Sequence, residues 1–243
     1  MNLARKRLKR WIRRHGYEVR KVGVGELDDV TRLAHIANRR NLHLFLDVGA
    51  NQGQFAIELR MAGFSGRIIS FEPISEAHAM LARRAGKDPL WTAAPRMALG
   101  SRNATELINV SRNSYSSSLL PMTDTHISAA PSSAYVKSEE IIVRRLDDIL
   151  VELGIPPDEP LALKIDTQGY EAQVLAGAPL TIPRIKLIFT ELSLAPLYDG
   201  APTFDQMHAW LRSSGFRCVG LSHELSDFES GEMLQVNGTF VQD

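Results

Sequence analysis

The chain has 243 residues, 44% of them hydrophobic, a length and composition that suit one α/β domain with a substantial core. A lone cysteine, Cys218, excludes an intrachain disulfide, no apolar run approaches the roughly 18 residues of a membrane span, and no apolar stretch follows the charged start, so the expectation is a cytoplasmic protein without a secretory signal. The formal net charge of zero conceals an asymmetry, because residues 1–21 carry nine Lys and Arg and one acid, leaving 28 − 9 = 19 bases against 28 − 1 = 27 acids elsewhere.

Residues 1–21 read as a basic amphipathic arm preceding one domain over residues 22–243. Wound as a helix, the arm sets Ala4, Leu8, Trp11 and Ile12 on one side and most of the bases from Arg5 to Arg14 on the other. That pattern fits residues 1–14 lying on an anionic membrane, at the inner face of the plasma membrane, and it equally fits a solvated basic terminus whose Trp11 packs on the body. Nucleic acid is not expected as a partner, since the acidic remainder opposes a phosphate backbone.

Beyond the arm, strand-like and helical periodicities alternate. The spacing predicts strands at 42–47, 67–72 and 90–99 with helices at 55–61 and 76–84, then a helix closing at 149–153. Strands at 161–166 and 186–192 follow with helices at 171–176 and 204–211, and two final strands lie at 216–221 and 233–241. Parallel neighbours need crossover helices, so the simplest assembly is a mostly parallel sheet with helices on both faces and a C-terminal antiparallel hairpin. Residues 101–143 break the rhythm with Asn113-Ser-Tyr-Ser-Ser-Ser118, Pro121 and Pro131 between short strand-like pieces at 107–110 and 140–143. This reads as an insertion beside the ligand crevice, either a lid or a flexible polar excursion.

The segment Phe45-Leu-Asp-Val-Gly-Ala-Asn-Gln-Gly-Gln-Phe55 is an apolar strand running into a glycine turn and a helix. Gly49 and Gly53 flank Ala50 and Asn51 without the third glycine of a dinucleotide fingerprint. Asp47 decides further, because a carboxylate about 4 Å from a pyrophosphate is repelled by roughly 4 kcal/mol at an effective dielectric near 20. S-adenosylmethionine carries an ammonium and a sulfonium, so the same acid suits its amino-acid end. Glu72 stands 19 residues after Gly53, at the next strand end, where a carboxylate accepts hydrogen bonds from ribose hydroxyls. Met97 and Ala98 are then placed beside the adenine. An NAD-linked oxidoreductase and a non-catalytic module that keeps the cofactor turn are the competing readings.

Asp47-Val-Gly-Ala-Asn-Gln-Gly53, Phe71-Glu-Pro73, Ala98-Leu-Gly100, Arg145-Leu-Asp147, Leu163-Lys-Ile-Asp-Thr-Gln-Gly-Tyr-Glu171 and Pro196-Leu-Tyr-Asp-Gly200, in this order, resemble the motifs of FkbM-type methyltransferases. The resemblance runs from about Phe45 to Phe216 and implies a Rossmann-like class I fold with seven strands, dependence on S-adenosylmethionine, and O-methylation of sugars or natural products. Within the family, the arm is similar to that of enzymes acting on glycolipids.

Such a transfer is an in-line displacement in which the enzyme aligns two atoms and removes a proton. Sugar hydroxyls are poor nucleophiles, so a base or a metal is expected near the methyl group. Asp166, ending the fourth strand, is the first candidate, as base or as metal ligand, with helix capping as its alternative. Glu191 ends the neighbouring strand, and the two carboxylates with substrate oxygens and water suit Mg2+. Glu171 belongs either to the same acidic group or to a helix dipole. His223 is a further candidate base on account of its near-neutral titration, its alternative being a surface place in a turn at 222–226.

Overall fold

The computed structural model describes residues 28–243, so the basic arm and its proposed membrane contact through residues 1–14 lie outside the described residues. The first element is one outside the expected set, helix α1 (Asp29–Arg39), capped by Asp28, whose Oδ1 accepts a hydrogen bond from Thr31 N at 2.9 Å, and buried on its Leu33, Ala34 and Ala37 face. There follow β1 (Leu44–Val48), α2 (Gln54–Met61), β2 (Arg67–Phe71), α3 (Ser75–Ala85) and β3 (Trp91–Ala93). Next come β4 (Ala98–Leu99), β5 (Ala104–Ser111), α4 (Asp124–Ala129), β6 (Tyr135–Arg144) and α5 (Leu146–Glu152). The chain closes with β7 (Leu161–Ile165), α6 (Glu171–Ala176), β8 (Ile185–Ser193), α7 (Phe204–Ser213), β9 (Arg217–Ser226) and β10 (Met233–Val241).

Seven strands form one sheet in the order β3-β2-β1-β7-β8-β10-β9. The first five are mutually parallel, and β10 runs antiparallel to both β8 and β9. The expected α/β architecture, a mostly parallel sheet ending in an antiparallel hairpin, is the one observed. The chain builds outward from β1 through β2 to β3, then returns to lay β7 on the other side of β1. That reversal opens a crevice beyond the carboxyl ends of β1 and β7, the place where doubly wound sheets bind ligands. Strands β1 and β7 are buried along their whole length, as central parallel strands are. Each carries one charged residue in an otherwise apolar run, and the register sets the two side by side, Asp47 opposite Lys164.

Two expectations change. The strand expected at 90–99 is interrupted because Pro95 has no N–H for a ladder bond; β3 stays in the main sheet, while β4 pairs with β6 in a second sheet. The insertion expected at 101–143 is largely ordered as that second, three-stranded sheet, order β4-β6-β5, longer at both ends than its apolar pieces suggested. Its core of Ile108, Val110, Ile141 and Val143 packs on Ile74 and Ala77 and roofs the crevice. Among the described residues no helix is long and apolar enough to cross a membrane.

Candidate active site

The turn after β1 is shaped by its neighbours. Gly49 (φ 73°) donates its N–H to Phe71 O at 3.1 Å, and a Cβ placed on it would sit 1.8 Å from the carbonyl oxygen of Asp166. Gly53 (φ 87°) faces the Trp91 ring, 2.6 Å from where its Cβ would be. The left-handed φ and the close approach both demand glycine. Gly49→Ala must therefore push the loops after β1 and β7 apart. A misplacement of about 1 Å near the reacting atoms costs on the order of 100-fold in rate; we expect at least that loss of turnover, together with weaker S-adenosylmethionine binding by calorimetry, and wild-type values for both would show that the loops need not touch.

Beside this turn lies a cavity with about 610 Å³ of empty space including its mouth, lined by Gly49, Asn51, Glu72, Met97, Ala98 and Asp166 among others. The Glu72 carboxylate is at its wall, accepting the Asn51 N–H and the Ile74 N–H, both at 2.8 Å. Burial pushes its pKa up to about 7 against the pull of those two backbone donors. The insertion closes over the mouth: Asn51 Nδ2 donates to Ser114 Oγ at 3.2 Å and Gln54 Nε2 to the Tyr115 hydroxyl at 2.9 Å, and Ser114, Tyr115, Ser117 and Leu119 line the cavity. Of the two readings of the Ser-rich segment, the lid is the one these contacts favour.

Asp47 is placed differently from the expectation that it reaches a bound ligand. It is fully buried, its Oδ2 accepts from Ser70 Oγ at 2.9 Å, its Oδ1 lies 3.2 Å from Lys164 Nζ, and it does not line the cavity beside the turn. Lys164 is the hub: its ammonium also donates to Gly49 O at 2.8 Å and stands 3.5 Å from Asp166 Oδ2, 5.6 Å from the Phe55 ring centroid. Burial works against that charge, but Asp47 and Asp166 outweigh it and hold the lysine protonated well above the usual range.

Asp166 and Glu191 are brought together, as expected, but around an amide. Gln168 Nε2 donates to Asp166 Oδ1 at 2.9 Å and to Glu191 Oε2 at 2.8 Å, and Gln235 Nε2 donates to the same Glu191 oxygen at 3.2 Å. Burial and the neighbouring Asp166, Glu171 and Glu224 carboxylates keep Glu191 protonated far above the ordinary range. This set does not fit the expected Mg2+. One Asp166 oxygen faces an ammonium, the other an amide N–H, and Glu191 Oε2 is already taken by two amide N–H groups; among the described residues no group of three His, Cys, Asp or Glu is arranged for a metal. Glu171 turns inward instead, its Oε1 accepting from Thr167 N, Thr167 Oγ1 and Gly169 N, which fixes the loop after β7.

A second cavity shares Gly49, Asn51, Tyr115 and Asp166 with the first and continues to Lys164, Phe189, Glu191, Glu224 and Asn237. His223 is not among its lining residues. It lies within strand β9 rather than in a turn, exposed, with Nε2 2.8 Å from Ser226 Oγ. Its neighbour Glu224 is the β9 residue that faces the cavity. Glu224, Asn237, Gln168 and Tyr115 were missed from the sequence.

A parallel sheet that reverses at β1, a glycine turn without the dinucleotide spacing, a buried acid at the end of β2 and a polar cavity beyond β7 together define a class I methyltransferase. The family model described as "Methyltransferase FkbM domain" matches residues 47–218, and the chain belongs to that family. Its methyl donor is accordingly S-adenosylmethionine, and the first cavity fits it, offering the Glu72 carboxylate and the Gly49 turn beside the apolar Met97–Leu99 wall. No curated protein matches the sequence. Similar folds include a Listeria monocytogenes protein provisionally described as an S-adenosylmethionine-dependent methyltransferase, at 8% identity over 87% of this chain and 99% of that one with TM-score 0.48. TehB from Haemophilus influenzae is 9% identical over 87% of this chain and 62% of its own, TM-score 0.46. The methyltransferase domain of bacterial CtHen1-C is 9% identical over 88% and 96%, TM-score 0.44. At such identities nothing of their substrates transfers to this chain.

Proposed function

We propose that the protein transfers the methyl group of S-adenosylmethionine to a hydroxyl of a sugar, in a glycolipid or a related natural product. The observation that carries this reading is the second cavity, which is lined by Asp166, Glu191, Glu224 and Asn237 together with the rings of Phe55 and Phe189. Carboxyl and amide groups around aromatic faces suit a neutral polyol and repel an anion. S-adenosylmethionine supplies an electrophilic methyl carbon. Asp166, whose side chain is 38% exposed at the junction of the two cavities, receives the hydroxyl proton as the acceptor oxygen attacks. Lys164 holds it in place from behind, and Glu191, carrying its proton, donates a hydrogen bond to the sugar. Octyl glycosides of neutral hexoses and deoxyhexoses should accept labelled methyl, whereas the corresponding uronic acids and sugar phosphates should be at least roughly 10-fold poorer in kcat/KM, about 1.4 kcal/mol. Preference for the anionic acceptors would defeat the reading.

On the donor side, Glu72 is the proposed partner of the ribose hydroxyls, with Gly49, Ala50, Asn51 and Gly53 around the amino-acid end and Met97 and Ala98 beside the adenine. The ionised carboxylate accepts those hydrogen bonds more strongly. With Glu72 titrating at about 7 in the folded protein, it is mostly protonated at pH 6 and mostly ionised at pH 8. Affinity should therefore rise roughly 10-fold over that interval, measured by calorimetry. In Glu72→Gln the dependence should vanish and the affinity stay near the low-pH value; a pH-independent wild type would remove Glu72 from the ribose.

A further inference from the structure

Gln168 has φ 56°, a left-handed conformation that glycine adopts freely and glutamine does not, and Gly169 beside it has φ 93°. Such a side chain persists there only when its surroundings hold it. Its amide N–H groups go to Asp166 Oδ1 and Glu191 Oε2. Its amide oxygen accepts from the Tyr198 hydroxyl at 2.6 Å, and its backbone oxygen accepts from Ser118 Oγ at 2.7 Å. Tyr198 is itself buried, set edge-on to His126 with ring centroids 5.0 Å apart. It packs against Gly169, where an added Cβ would come within 2.9 Å of the Tyr198 Cβ.

The orientation of the amide follows from its partners. The protonated Tyr198 phenol donates to the amide oxygen at 2.6 Å, and the amide N–H groups go to Asp166 Oδ1 and Glu191 Oε2. Rotating the amide by half a turn would set its oxygen against the Asp166 carboxylate oxygen and give up the bond donated by the phenol. Asp166 and Tyr198 together therefore favour the end of Gln168 that joins Asp166 to Glu191.

We propose that Gln168, held by Tyr198, is a positioning residue that aligns the base Asp166 with Glu191 at the acceptor cavity. The inference rests on the reading of Asp166 as base, and its effect on the reaction passes through those two side chains, because neither Gln168 nor Tyr198 lines either cavity. An acid in place of the amide loses both N–H donors and adds a third carboxyl to the pair. In Gln168→Glu, kcat for methyl transfer to a neutral octyl glycoside should fall about 10- to 100-fold. S-adenosylmethionine affinity should stay within about twofold, and the ascending limb of the kcat–pH profile should move to higher pH. Tyr198→Phe keeps the ring packing and removes only the orienting proton, so a milder loss of roughly 2- to 10-fold is expected, with the same direction of pH shift.

Carboxyl-carbon NMR titration of the full chain with no acceptor present separates this inference from the reading beneath it. Under the proposal the Asp166 and Glu191 resonances shift and titrate at higher pH in both variants than in wild type. Unmoved carboxyl titrations, or a loss of kcat with an unmoved pH limb, would overturn it even if Asp166→Asn is inactive. If Asp166→Asn remains active while the titrations move as expected, the base assignment fails and the hydrogen-bonded positioning stands.

Discussion

Asp166→Asn is expected to lower turnover by about 100- to 10,000-fold while leaving S-adenosylmethionine affinity within a few-fold of wild type. The asparagine is nearly isosteric and retains one oxygen for Lys164 or Gln168, so the loop after β7 keeps its shape, but it cannot take the proton of the attacking hydroxyl. The effect belongs to kcat because the proton is accepted only as the new bond forms. Transfer of labelled methyl to octyl glycosides and calorimetry with S-adenosylmethionine, run on the same preparation, check both halves. Turnover near the wild-type rate would reduce Asp166 to a hydrogen-bond partner of Gln168.

Lys164→Met should destabilise the fold by about 3–5 kcal/mol, the cost of leaving a buried charge without its partner. Asp47 has no exposure and its Oδ1 faces only the ammonium, whereas Asp166 reaches water and is relieved more cheaply. The double variant Asp47→Leu, Lys164→Met removes both charges from neighbouring central strands and should recover much of the loss, since paired apolar replacements of a buried ion pair are often neutral. Urea unfolding of the wild type, Asp47→Leu, Lys164→Met and the double variant gives the coupling directly. A double-variant loss equal to the sum of the two single losses would mean the two side chains act independently, contrary to their 3.2 Å approach.

These two residues also mark the limit of what the sequence makes legible. The strands 161–166 and 186–192, the helix 171–176 and the glycine turn at Gly49–Gly53 are read from local spacing because each is a short apolar or helical run closed by its own punctuation. Asp47 was legible as an acid at a strand end, but its partner was not, because Asp47 and Lys164 meet only through the β1–β7 register, 117 positions apart. A signal did exist: a single lysine inside the otherwise apolar run Leu161–Ile165 has to find a carboxylate.

The phase of β9 was harder. Whether His223 or Glu224 faces the cavity depends on a pairing with β10 whose register shifts near Gln235, and nothing local in the sequence reveals such bulges. Tyr198 and Gln168 show no role in the sequence, since a phenol and an amide thirty residues apart acquire one only when the loops after β7 and β8 meet. Helix α1 carried a legible local signal of its own, an Asp28 cap followed by Leu33, Ala34 and Ala37 on one face, although it is not among the expected elements.

The most direct test of the central claim is to incubate the full chain with S-adenosylmethionine labelled in the methyl group and a neutral lipid-linked sugar, hydrolyse the product, and locate the label by mass spectrometry. The account predicts label in an O-methyl ether on a ring carbon of the sugar, abolished by Asp166→Asn. Label on nitrogen, on carbon, or on an anionic group of the acceptor would contradict it.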